Sequence, residues 1–115
     1  MSFETVKKIV KALDDKKGND IKVMQVNDLT IVADYFVLVT ANSSTHVRAL
    51  GEEVEFQLEE AGMAADHIEG RATGWVLLEY DGVIVHIFDK ESRGFYNLEN
   101  LWKDATEIDI SDFIE

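Results

Sequence analysis

The segment from Gly74 to Phe88 constrains this chain more than any other. It reads Gly-Trp-Val-Leu-Leu-Glu-Tyr-Asp-Gly-Val-Ile-Val-His-Ile-Phe. Asp81-Gly82 is the strongest short signal for a two-residue hairpin turn, because both central positions of that turn need positive φ. The turn sets the register. Tyr80 faces Val83, Leu78 faces Val85 and Val76 faces Ile87, so one face of the hairpin is wholly apolar. The other pairs Glu79 with Ile84, Leu77 with His86 and Trp75 with Phe88. Side chains alternate across a strand, so the two sets cannot mix. The first face has the composition of a core. The second places large aromatics among polar groups, as expected where a sheet meets a partner.

The remaining pattern surrounds this hairpin with further elements. Ser2 is placed to cap a helix running to about Lys17, with Val6, Ile9, Val10 and Leu13 on one stripe and Gly18 as its stop. Residues 20–26 alternate as a strand. Residues 34–41 form a nearly continuous apolar run, which fits a strand covered on both faces. The Asn42-Ser43-Ser44 turn opens a second helix that runs to about Ala61, with Val47, Leu50, Val54, Leu58 and Ala61 on one stripe and Gly62 as its stop. Residues 66–70 read as a short strand, and Arg93 to Trp102 as a helical or turn segment. The acidic stretch from Lys103 to Glu115 is expected to be loosely docked or partly disordered. The order α-β-β-α-β-β-β-α predicts an α/β sandwich, a mixed sheet of about five strands with helices on at least one face. At 115 residues it forms one domain. We place that domain at residues 1–105, with residues 106–115 as an acidic tail.

Charge narrows the class of partner. The net charge is −12 and it is uneven: residues 1–51 hold seven Lys/Arg against six Asp/Glu, whereas residues 52–115 hold four against seventeen. Phosphate repels such a chain, which disfavours general nucleic-acid binding, while a basic protein would attract it. There is no cysteine, so disulfides, thiolate zinc sites and thiol nucleophiles are excluded. No apolar run reaches the ~20 residues needed to cross a bilayer. The first residues lack a secretory pattern, and the expected compartment is the cytoplasm.

Candidate chemistry is sparse. His46, His67 and His86 show no paired ligand spacing, so no metal site is expected. The turn from Asn42 to Thr45, between a strand and a helix, suits an anion at a helix start, which makes a nucleotide-binding or nucleotidyltransferase-like enzyme the alternative reading. Such an enzyme needs two nearby carboxylates to hold magnesium, and the strand Val83 to Phe88 supplies none. The segment Arg93-Gly-Phe-Tyr-Asn-Leu-Glu-Asn-Leu-Trp102 gathers the residue types that dominate binding hot spots. Its plain structural use is to pin a terminal helix through Tyr96, Leu98, Leu101 and Trp102. Trp75 and Phe88, on the non-core hairpin face, favour an interface instead.

Taken in order, Asp34-Tyr-Phe-Val, Asn42-Ser, Ile68-Glu-Gly70, Gly74-Trp-Val-Leu-Leu, Val85-His-Ile-Phe88, Arg93-Gly-Phe-Tyr96 and Leu98-Glu-Asn-Leu-Trp102 resemble one family. It is that of the ribosomal silencing factors, also called the Iojap family, and the resemblance runs from about Val6 to Ala105. It implies a translation repressor without enzymatic activity, cofactor or metal, on a nucleotidyltransferase-like fold lacking the catalytic carboxylates. It implies binding to the large ribosomal subunit through its fourteenth ribosomal protein, blocking the small subunit sterically. Carried over by position, the partner surface comprises Glu69, Trp75, Leu77, Glu79, His86, Phe88, Arg93, Tyr96, Leu98, Glu99 and Trp102. Glu79 stands where the family commonly has Asp, and residues 106–115 fall outside the pattern. Use of the same aromatic face to form a homodimer is compatible with this reading.

Overall fold

A computed structural model describes residues 2–70, 74–111 and 113. The chain runs α1 (Ser2–Asp15), β1 (Asn19–Gln25), β2 (Tyr35–Ala41), α2 (Ser44–Glu60), β3 (His67–Glu69), β4 (Trp75–Tyr80), β5 (Val83–Asp89), α3 (Lys90–Tyr96), α4 (Leu98–Leu101) and β6 (Thr106–Ile108). The strands form one mixed sheet in the order β3-β4-β5-β2-β1-β6. Among the described residues, the β2–β5 pair alone is parallel, with Tyr35 opposite Val83 and Ala41 opposite Asp89.

The β4–β5 hairpin has the register its turn dictates. Trp75 pairs with Phe88, Leu77 with His86 and Glu79 with Ile84. Asp81 and Gly82 carry the positive φ angles, 42° and 89°. Val76, Leu78, Tyr80, Val83, Val85 and Ile87 are buried in one cluster with Val6, Ile9, Leu13, Val47, Leu50, Val54 and Leu58. That cluster is the interior between the sheet and α1 and α2. Strand β2 contributes Val37 and Val39 to this side and Phe36 and Leu38 to the opposite one. It is the covered central strand its apolar run predicts.

Two boundaries differ from expectation. Helix α1 ends at Asp15, and the left-handed residue after it is Lys17 (φ 61°). Gly18 serves another purpose: a Cβ there would lie 2.5 Å from Val39 Cγ2, so only glycine lets the chain pass that close to β2. The larger difference is at the C-terminus. Residues expected to be loosely docked form β6, antiparallel to β1 with Thr106 opposite Gln25 and Ile108 opposite Val23. Ile108, Ile110 and Phe113 pack against the helix-side core. The sheet therefore has six strands rather than about five. The open hydrogen-bonding edge of β1 recruits a segment whose own apolar content is too thin to signal a strand.

Candidate protein-binding surface

Helices α1 and α2 cover one face of the sheet. The other carries a second apolar cluster of Met24, Val26, Ala33, Phe36, Leu38, Ile84 and Phe88. Among the described residues, the strap formed by α3, α4 and the turn after them closes over it, through Leu98, Trp102 and Ala105. The strap is placed by local chemistry at both ends of α3. Asp89 Oδ1 accepts the Ser92 amide at 2.8 Å to cap the helix start. Asn97 then adopts the left-handed conformation (φ 47°), which an Asn tolerates. That reversal turns α4 so that Leu98 and Trp102 point at the sheet.

The aromatic rings make a connected row across this face. Tyr96 meets Trp75 at 4.5 Å between centroids, and Trp75 meets Phe88 at 5.1 Å. His86 lies 5.1 Å from Phe36 edge-on, and Phe36 meets Trp102 edge-on at 5.1 Å. These tilted and edge-to-face geometries are the favourable ones for ring pairs. Trp75 Nε1–H donates to His86 Nδ1 at 3.1 Å, which makes the neutral ring of His86 the Nε2–H tautomer. Burial pushes the His86 pKa down to about 4, so the ring is neutral near pH 7.

The sequence-derived surface residues therefore separate into layers. Phe88 is fully buried and His86 is 5% exposed, so both form the floor beneath Trp75 rather than an outer contact. Their apolar strand neighbours and the α3–α4 strap, not solvent, surround them. Trp75, Leu77, Leu98 and Trp102 are half-buried, and Tyr96 is exposed. Glu69 and Glu79 lie on the same face at its β3 edge, where Glu69 pairs in register with Leu77 and is hydrogen-bonded to His67.

Arg93 and Glu99 face inward. Arg93 Nη1 donates to Asp20 O at 2.7 Å and to Thr40 Oγ1 at 2.8 Å. Its Nε and Nη2 donate to the two Glu99 carboxylate oxygens at 3.0 and 3.2 Å, and Lys22 Nζ adds a third bond to Glu99 at 2.9 Å. The Arg93 guanidinium, joined by Lys22, draws the Glu99 carboxyl from its ordinary 4.5 down to about 2, against the opposing effect of burial. This cluster latches the strap to β1 and β2.

Sequence reasoning missed Lys22, Thr40 and Phe36 in this arrangement. It also missed that Phe95 (79% exposed) and Leu101 (71%) are the most outward apolar groups of the strap. Spacing gave no signal for Leu101: three residues from Leu98, it belongs by periodicity to the same helix side, and only the short α4 leaves it outward.

The turn from Asn42 to Thr45 is occupied with local structure. Asn42 N–H donates to His46 Nδ1 at 2.8 Å, Ser43 Oγ accepts the His46 amide, and Asn42 Oδ1 accepts from Asn19 Nδ2 at 2.8 Å. The adjacent carboxylate, Asp89, is the cap of α3.

A family model described as "Ribosomal silencing factor during starvation" matches residues 1–115. The chain belongs to the ribosomal silencing factor family. A relative in Bacillus subtilis, "Ribosomal silencing factor RsfS", is 38% identical over 112 residues, covering 96% of this chain and 95% of its own length. A crystal structure of a Chromobacterium violaceum protein superposes with a TM-score of 0.85 at 33% identity, covering 88% of this chain and 85% of that one. A Bacillus halodurans crystal structure gives 0.82 at 30% identity, with 93% and 98% covered. Ribosomal silencing factors are regulators of translation rather than enzymes. Among the described residues no helix is long and apolar enough to cross a membrane.

Proposed function

We propose that this chain silences translation by binding the large ribosomal subunit through its fourteenth ribosomal protein and standing in the way of the small subunit. The observation that carries the reading is the row of rings from Tyr96 through Trp75 to Trp102 on the one sheet face that no long helix covers. Aromatic groups that are rigid, half-desolvated and clustered are the usual source of binding energy at a protein interface. Carboxylates at the edge, Glu69 and Glu79, together with a net charge of −12, favour a basic protein surface and oppose ribosomal RNA.

The mechanism is occupancy. An interface of roughly 800 Å² per partner is enough to exclude a neighbour of subunit size. Its duration is set by dissociation, which tightly packed rings slow. Work of this kind takes place where ribosomes assemble, in the cytoplasm.

Sucrose-gradient sedimentation of separated subunits with the purified chain tests the proposal. The chain should travel with the large subunit and reduce the joined peak. Tyr96→Ala, which removes an exposed ring, should abolish that reduction at wild-type concentration. Co-sedimentation with the small subunit alone, or undiminished blocking by Tyr96→Ala, would refute it.

A further inference from the structure

The loop between β1 and β2 carries three apolar side chains in four positions, and all face solvent: Leu29 is 46% exposed, Ile31 103% and Val32 68%. Single exposed aliphatics are ordinary, but a contiguous trio on one loop tip is not. The residues flanking the tip do turn inward. Val26 and Ala33 are buried in the same cluster as Phe36, which Trp102 joins. The loop base is thus continuous with the aromatic face.

The tip is held in place. Val26 O accepts the amides of Leu29 and Thr30 at 2.8 and 3.0 Å, and Asp34 O accepts the Val26 amide at 2.8 Å. Thr30 Oγ1 accepts the Val32 amide at 3.1 Å, and the Asp34 amide donates to Gly82 O at 2.7 Å. A loop closed in this way displays its side chains without a large ordering cost on binding.

The surroundings decide what could cover it. The last bond joins the loop to the β4–β5 turn, so Asp28, Asp34 and Asp81 lie at one end of the sheet. The segments nearest this end, 26–34 and 80–83, carry those carboxylates and no Lys or Arg, while the turn before β6, whose Thr106 lies opposite Gln25, adds Lys103 beside Asp104. A negative surround repels nucleic acid and anionic lipid. It also repels a second copy of itself, which would bring the same carboxylates. We infer that Leu29, Ile31 and Val32 form a second contact, filling an apolar pocket framed by Lys or Arg on the protein partner. The inference rests on the docking proposed above and adds a second foothold to it.

The probe is the purified large ribosomal subunit, with affinity read by co-sedimentation at varied concentration. Ile31→Ser and Ile31→Lys should leave the melting temperature unchanged, because the side chain touches little. Ile31→Ser should weaken binding about tenfold or more, the consequence of losing one buried aliphatic group. Ile31→Lys should weaken it further than Ile31→Glu, since the frame is basic. Tyr96→Ala, measured alongside, separates the two ideas. Loss with Tyr96→Ala alone overturns the loop contact and leaves the aromatic face standing. Loss with the Ile31 variants alone supports the loop and removes the ring row. No loss with either overturns both. A Glu variant weaker than the Lys variant refutes the basic frame. A dimer in sedimentation equilibrium that Ile31→Ser dissolves assigns the tip to a second copy and overturns the inference.

Discussion

Glu99→Gln probes the latch that holds the aromatic strap in place. The substitution keeps size and shape but removes the charge that Arg93 and Lys22 share, leaving a guanidinium whose side chain is only 12% exposed. Lowering a carboxyl from 4.5 to about 2 sets a ceiling of about 3 kcal/mol on the stabilisation at neutral pH. Glu99 itself keeps 29% of its exposure, and solvent screens the pair, so the expected loss is about 2 kcal/mol. For a domain of this size that lowers the melting temperature by about 8 °C. The pH dependence has a fixed sign. A carboxyl with a depressed folded pKa contributes fully above its unfolded value and loses that contribution as pH falls from 4.5 toward about 2. The stability gap between wild type and Glu99→Gln should therefore be widest near pH 7 and less than half as large at about pH 3. Urea titrations at both pH values measure it. A gap under about 0.5 kcal/mol at pH 7, or one that does not narrow in acid, refutes the latch. The result also bears on interface mapping: a charge reversal at Glu99 unfastens the strap, so it cannot report on a direct partner contact.

Further outcomes follow from other parts of the fold. Tyr96→Ala should cost about 1 kcal/mol of stability, from its ring contact with Trp75, while weakening large-subunit binding about thirtyfold, as truncating a hot-spot aromatic does. Gly18→Ala should cost about 1–3 kcal/mol in urea denaturation, because the added methyl meets Val39 Cγ2 at 2.5 Å. Ending the chain after Ala105 removes β6 with Ile108 and Ile110, and should destabilise the remainder by about 2–4 kcal/mol while exposing the β1 edge. The His86 pKa is held below its ordinary 6.5, at about 4, so the unfolded chain binds the proton first and stability falls as pH drops through that window. His86→Phe should flatten this part of the profile, and NMR titration of the ring should show no charge change between pH 6 and pH 8 if burial holds it neutral.

The hairpin was legible because its information is local. Asp81-Gly82 fixes the turn, the turn fixes the register, and period-two alternation assigns each side chain to a face. The same holds for α1 and α2, whose apolar stripes were read from spacing alone, and for the central position of β2. Which sheet face stays open is a different kind of fact. Phe88 and His86 were expected at the surface, and they are floor because Leu98, Trp102 and their neighbours cross over that face. Arg93 and Glu99 were expected to meet a partner. They turn inward because Asp20 and Thr40, 73 and 53 residues away from Arg93, present acceptors to it. The tail became a strand because β1 had a free edge. Turn chemistry and periodicity act between near neighbours and are written in the sequence. Coverage, charge pairing and edge completion act between segments far apart along the chain, and only the folded backbone brings them within reach.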